Sequence, residues 1–124
     1  MQYPGLRGRS ILVVEDEFLI AMDITQAFES AGANVTTTST VRHALILVEH
    51  DGLSAAIMDH ALSDGDSIQL CARLKARGIP YVSYSGYDPV RGADKDAPFI
   101  SKPASMDTLL SAVEEMLKGP VRIS

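Results

Sequence analysis

Short apolar runs of strand length alternate along the chain with longer segments in which apolar residues recur three or four positions apart. Ile11-Leu12-Val13-Val14 is β-branched and apolar, the composition of a strand. Ala55-Ala56-Ile57-Met58 is a continuous apolar run, as expected for a strand buried on both faces of a parallel sheet. Pro80 opens a third strand, Tyr81 to Ser85, at the first position, where proline is tolerated. Phe99-Ile100-Ser101 is a last short strand, and the polar stretch Val35 to Thr38 reads as a strand at a sheet edge. Between them, Phe18 to Ala31 predicts a helix with Leu19, Met22, Phe28 and Ala31 apolar and Gly32 at its C-cap. Ser39 or Thr40 caps a second helix, Val41 to Glu49, with Val41, Ala44, Leu45 and Val48 on one face. Ser67 to Arg77, with Ile68, Leu70, Cys71 and Leu74, is a third, ended by Gly78. Met106 to Lys118, capped by Ser105 and stopped by Gly119-Pro120, is the last. Ser63-Asp64-Gly65-Asp66 is a loop by composition, and Gly86 to Pro98 is punctuated by Pro89 and Gly92, so any helix there is short or irregular.

The order is (βα)₅, which argues an α/β fold with a parallel sheet, helices on both faces and right-handed crossovers. At 124 residues and 46% hydrophobic the chain supports one domain with one sizeable core. Residues 1–9 read as a short lead-in, 10–118 as the domain and 119–124 as a tail. The formal net charge of −5 argues against nucleic acid as the direct partner. No apolar run approaches the roughly 18 residues of a membrane span. Arg7 and Arg9 precede no signal-type cleavage site. Cys71 stands alone, so no internal disulfide forms, and a reducing cytoplasm is the simple setting.

Candidate chemistry gathers at the carboxyl ends of the predicted strands, the edge where open α/β sheets bind ligands. Glu15-Asp16 follows the first strand, Asp59 the third, Ser85 ends the fourth and Lys102 follows the fifth. Three carboxylates close together repel and raise one another's pKa, and a divalent cation relieves that. Mg²⁺ takes oxygen ligands and a few carboxylates. Asp59 then has the character of a nucleophile toward phosphorus. Lys102 supplies positive charge, and the Ser85 hydroxyl a donor for a phosphoryl oxygen. Each residue alone has a plainer reading. Glu15-Asp16-Glu17 are acids favoured at a helix N-terminus, Cys71 is a small apolar core residue, and His43, His50 and His60 lack a second ligand at metal spacing.

Taken in order, Ile11-Leu12-Val13-Val14-Glu15-Asp16-Glu17, Met58-Asp59, Pro80 to Ser85-Gly86 and Lys102-Pro103 resemble the receiver domain of two-component response regulators, the CheY-like fold, over Ser10 to Lys118. The resemblance implies the flavodoxin-like strand order 2-1-3-4-5, for which a chemotaxis receiver is a standard example. It implies that Asp59 accepts a phosphoryl group from the phosphohistidine of a sensor histidine kinase or phosphotransfer protein. It further implies that Glu15, Asp16, Asp59 and the backbone carbonyl of Ala61 hold Mg²⁺, that Ser85 and Lys102 bind the phosphoryl group, that Phe99 takes the place of the switch aromatic, and that Lys102-Pro103 is a cis peptide. Such a chain is a phosphoacceptor rather than an enzyme with its own substrate, a cytoplasmic monomer or weak dimer that signals through protein contacts without nucleic acid or membrane.

The sequence departs from the family pattern at several places. Ser63 stands where a proline is usual, Ser85 where Thr is commoner, and Phe99 where Tyr is usual. Phe99 lacks a hydroxyl, so its position is expected to be set by packing against Tyr84, Ile100 and the Gly86–Pro98 segment, which becomes the expected mobile element. Ala61 and Tyr87 occupy the positions that tune hydrolysis of the acyl phosphate, one apolar and one bulky, which predicts a long-lived phosphoryl group. Gly86 and the broken fourth helix are similar to an alphaproteobacterial subgroup of single-domain receivers. The same residues fit two other functions. One is a receiver excised from a hybrid histidine kinase. The other is a Mg²⁺-dependent phosphohydrolase with an Asp nucleophile, which needs a second Asp where Ala61 stands.

Overall fold

The computed structural model describes residues 3–59, 67–86 and 97–118. After a 3₁₀ turn, Pro4–Leu6, the order is β1 (Ser10–Val14), α1 (Phe18–Ser30), β2 (Asn34–Thr38), α2 (Val41–Leu47), β3 (Ala55–Met58), α3 (Ser67–Ala76), β4 (Tyr81–Ser85), β5 (Phe99–Ser101) and α4 (Met106–Lys118). The five strands form one parallel sheet in the order β2-β1-β3-β4-β5. His60, Ala61, Ser63 to Asp66, Tyr87, most of the Gly86–Pro98 segment and the tail 119–124 lie outside the described residues.

Side-chain alternation along the strands divides the interior into two cores. Ile11, Val13, Ala55, Ile57, Val82 and Tyr84 face one side, where Ile24 and Phe28 of α1 and Leu109, Leu110 and Val113 of α4 cover them. Leu12, Val14, Ala56, Met58 and Tyr81 face the other, covered by Val41 and Ala44 of α2 and Leu70, Cys71 and Leu74 of α3. Both faces of β1 and β3 are therefore buried, which is why their sequences are uninterrupted apolar runs. Edge strand β2 leaves most of its residues outside and can be polar.

The apolar face of α1 differs from the sequence expectation. Leu19 and Met22 are exposed, as is Phe18. The stripe that meets the sheet is Ile20, Ile24, Ala27, Phe28 and Ala31, a run at i, i+4, i+7, i+8 and i+11. Ile68 likewise faces outward on α3. Helix α1 ends at Gly32, whose φ of +92° is the left-handed conformation favoured at a helix C-terminus. Thr40 caps α2 by accepting from the His43 backbone N–H, and Ser105 caps α4 by accepting from Thr108 N–H. His43 and His50 are both exposed, His50 beyond the end of α2, and His43 Nδ1 lies 3.1 Å from the Thr38 hydroxyl.

The stretch before β1 is packed onto the domain. Leu6 is wholly buried in the core beneath α1 and α4. The Gly5 N–H donates to Glu114 of α4 at 2.8 Å, the Tyr3 hydroxyl to Asp107 at 2.9 Å, and the Gly8 N–H to the Gly32 carbonyl at 2.8 Å.

Candidate phosphoryl site

Glu15, Asp59 and Lys102 each stand just past the end of a strand and are held there by one further backbone bond. The Glu15 N–H donates to the Thr38 carbonyl at 2.9 Å, Asp59 N–H to Val14 at 3.0 Å, and Lys102 N–H to Ser85 at 2.9 Å. These bonds extend the parallel ladder beyond the strands, so the rim inherits the rigidity of the sheet. The β3-β4-β5 order puts Ser85, itself buried, between the strands that carry Asp59 and Lys102.

Glu15 and Asp59 are 4% and 3% exposed, whereas Asp16 faces solvent. Oxygens of all three carboxylates lie within 4.8 Å of one another. Lys102 Nζ sits among them, 2.6 Å from Glu15 Oε1 and 2.9 Å from Asp59 Oδ2, with Glu17 Oε1 at 3.9 Å. The other Glu15 oxygen accepts the Glu17 backbone N–H at 3.1 Å. Two buried carboxylates this close cannot both stay ionised cheaply without a cation, and among the described residues Lys102 supplies it. Burial raises the Glu15 pKa, aided by the Asp59 charge and opposed by the bond to Lys102. Burial also works against the Lys102 ammonium, but its bonds to Glu15 and Asp59 prevail and hold its pKa above the usual lysine value. The donor set of three carboxylates, one of them open to solvent, suits a hard, oxygen-seeking divalent cation.

Lys102-Pro103 is a cis peptide. Phe99 is half-buried and aligned with Ser83 on β4, whereas Tyr84 is aligned with Ile100. Successive strand residues point to opposite faces, so Phe99 does not pack against Tyr84 as its place in the sequence suggests. Tyr84 lies in the core under α1 and α4, with its ring centroid 5.6 Å from Lys102 Nζ. Sequence reasoning passed over two neighbours of the rim. Glu17, whose backbone N–H is bonded to the Glu15 carboxylate, comes within 3.9 Å of Lys102, and spacing alone does not signal that. Leu19 and Met22, placed by helical periodicity on the apolar face of the helix, form with Phe18 an exposed apolar surface beside Asp16. A cleft of about 610 Å³ runs from Glu15 and Asp16 past Phe18 to Thr38 and His43.

Comparisons with known proteins agree with this arrangement. The chain is 29% identical over 122 residues to the transcriptional regulatory protein TcrA of Mycobacterium tuberculosis, a match covering 92% of this chain and 48% of that protein. It thus spans about half the length of the first curated relatives it matches. It is 27% identical to the response regulator receiver protein CpdR of Brucella abortus, covering 88% of this chain and 97% of that one. A solved CheY-like receiver domain from Methanospirillum hungatei superposes with a TM-score of 0.80 at 26% identity, covering 90% of this chain and 94% of that chain. A receiver protein from Sinorhizobium medicae shares the fold at a TM-score of 0.83 and 21% identity, covering 92% and 98%. The response regulator receiver domain pattern matches residues 11–114, and the chain belongs to that family of signalling modules.

Proposed function

We propose that the chain is a phosphoacceptor module whose Asp59 takes a phosphoryl group from a phosphohistidine on a sensor histidine kinase or phosphotransfer protein. The observation that carries this reading is the Lys102 ammonium held between two buried carboxylates at the carboxyl edge of the sheet. A lone pair of an Asp59 carboxylate oxygen forms the new O–P bond as the N–P bond of the donor breaks, and the imidazole nitrogen keeps the electron pair. Lys102 then exchanges a carboxylate oxygen for a phosphoryl oxygen, and the Ser85 hydroxyl donates to another. Glu15, Asp16 and Asp59 would hold a Mg²⁺ ion, which would supply further positive charge against the phosphoryl oxygens. Ala61, whose carbonyl the family resemblance adds to that set, lies outside the described residues. The exposed Phe18, Leu19 and Met22 flank the rim, where a donor protein must approach, and are available to dock it. The signal leaves through protein contacts, and residues 10–118 act as one unit together with the Tyr3–Arg9 stretch packed beneath α1 and α4.

The test is phosphoryl transfer from purified histidine kinases, and separately from acetyl phosphate, with and without Mg²⁺, read by intact mass. Wild type gains one phosphoryl group only with Mg²⁺. Asp59→Asn, which keeps the shape and removes the nucleophile, gains none. A phosphoryl group that persists on the Asn variant with the acid- and base-lability of an acyl phosphate would overturn the assignment.

A further inference from the structure

Tyr84 has no part in the chemistry above, yet it touches the one segment that presents Lys102. It is 4% exposed in β4, on the sheet face opposite the one that carries Ser83, Ser85 and Phe99. Its hydroxyl reaches the first residue after Lys102-Pro103. It accepts the Ala104 N–H at 3.3 Å and lies 3.5 Å from the Ala104 carbonyl, to which it donates. Its ring backs the Lys102 ammonium at 5.6 Å, within reach of a cation–π attraction. Lys102 has three further fixings: its own N–H on Ser85, the cap of α4 by Ser105 three residues on, and the carboxylates. Among the described residues, the Tyr84 hydroxyl holds the Ala104 peptide, which lies between Lys102 and the Ser105 cap of α4. A lysine side chain is long and rich in rotamers, so its placement depends on how firmly its backbone and flanks are held.

We infer that Tyr84 is a positioning residue for Lys102: its hydroxyl pins the Ala104 peptide and its ring supports the ammonium, so that Nζ stays between Asp59 and Glu15. The inference rests on the phosphoacceptor reading only for its kinetic consequence. The geometric claim concerns Lys102 itself.

Tyr84→Phe is the appropriate variant, because it keeps the ring and the buried volume and removes only the hydroxyl. Two measurements follow. In the first, each lysine is labelled with an amine-reactive acylating reagent and quantified by peptide mass spectrometry. Lys102, 12% exposed and doubly paired, labels slowly in wild type. In Tyr84→Phe its labelling rate rises about threefold or more, the scale of one lost hydrogen bond, while Lys75 and Lys118 are unchanged. In the second, phosphorylation by acetyl phosphate at saturating Mg²⁺ slows by about threefold to tenfold in Tyr84→Phe. In a Lys102→Met background the same substitution changes the rate by less than about 1.5-fold, because two residues acting through one interaction are not additive. Unchanged Lys102 labelling overturns the inference, as does an equal loss of rate in both backgrounds, which would mark Tyr84 as merely structural. If no variant is phosphorylated at all, the phosphoacceptor reading fails, and the labelling result still decides the role of Tyr84.

Discussion

Replacing Lys102 with Met removes the ammonium from between Glu15 and Asp59 while an unbranched side chain fills most of its space. Both carboxylates are nearly inaccessible, and Nζ lies 2.6 and 2.9 Å from them. Removing one partner of a fully buried ion pair costs about 3–5 kcal/mol, because the remaining charge is left unpaired. Two features reduce that here. The Lys102 side chain is 12% exposed, so some water reaches the site, and Glu15, whose pKa is already raised by burial, escapes the penalty by taking a proton. A loss of about 2–3 kcal/mol near neutral pH follows, without divalent cation. At about 3 °C per kcal/mol for a domain of this size, the melting temperature falls by about 6–9 °C.

The same reasoning predicts the response to metal. In wild type a cation entering the acid cluster must share Glu15 and Asp59 with the ammonium. In Lys102→Met it supplies the missing charge, so it binds more tightly and stabilises by a larger increment; binding at about 100 times the dissociation constant adds about 2.7 kcal/mol. Thermal melts of both proteins, in chelator and across a Mg²⁺ titration, read both quantities. The account is refuted if the variant melts within about 2 °C of wild type in chelator, or if Mg²⁺ raises the two proteins equally.

Three further outcomes are expected. The pairing of Lys102 raises its pKa in the folded state, so its stabilisation is fully present below the ordinary lysine value and is lost as pH rises through the folded value; the stability difference between wild type and Lys102→Met, followed by denaturant unfolding, therefore does not shrink between about pH 7 and 10, where loss of the Glu15 proton in the variant only widens it, and shrinks above about 10.4. Leu6→Ala leaves a cavity under α1 and α4 and lowers stability by about 2–4 kcal/mol in the same assay, whereas a dispensable lead-in would give no change. Leu19→Asp, at a side chain 75% exposed, changes stability by less than about 0.5 kcal/mol and leaves acetyl phosphate labelling intact, but slows transfer from the cognate kinase about tenfold or more; equal rates from the kinase would remove α1 from the docking surface.

How much of this was legible in the sequence depends on whether a feature is set by local pattern or by what neighbours demand. The bounds of β3, β4, β5 and α4 coincide with those expected, because buried parallel strands and a capped amphipathic helix are written into consecutive residues. The gathering of Glu15, Asp16, Asp59 and Lys102 was legible for a related reason: a parallel sheet brings the carboxyl ends of all its strands to one edge, so position along the chain converts directly into position in space. The failures have the opposite character. Leu19 and Met22 satisfy a helical period as well as Ile20 and Ile24 do, and only the sheet beneath α1 decides between the two stripes. Leu6 was passed over because a single apolar residue between Gly5 and Arg7 has no period at all; its burial is fixed by α4, which lies about a hundred residues on.

The Phe99 expectation failed on register rather than pattern, and the difference matters for how a signal leaves the site. Adjacent residues on a strand face opposite layers, so Phe99 and Tyr84 cannot report to each other through packing. The rim therefore has two separate exits. Ser85 and Phe99 lie on the face shared with α2 and α3, whereas Lys102 communicates through Tyr84 and Ala104 with the core under α1 and α4. On the phosphoacceptor proposal, a phosphoryl group on Asp59 that drew Ser85 and Lys102 toward it would act on both layers at once. A conformational shift then depends on which layer makes contacts that differ between the two states. On the α1 and α4 side the contacts are many and buried, and the Tyr84 hydroxyl already has partners in the resting structure, so little is left to gain there. Hydrogen exchange with and without beryllofluoride, a phosphoryl mimic, discriminates the two exits. Altered protection near Phe99 with α4 unchanged assigns the signal to the face of α2 and α3, and altered protection confined to α1 and α4 refutes that route.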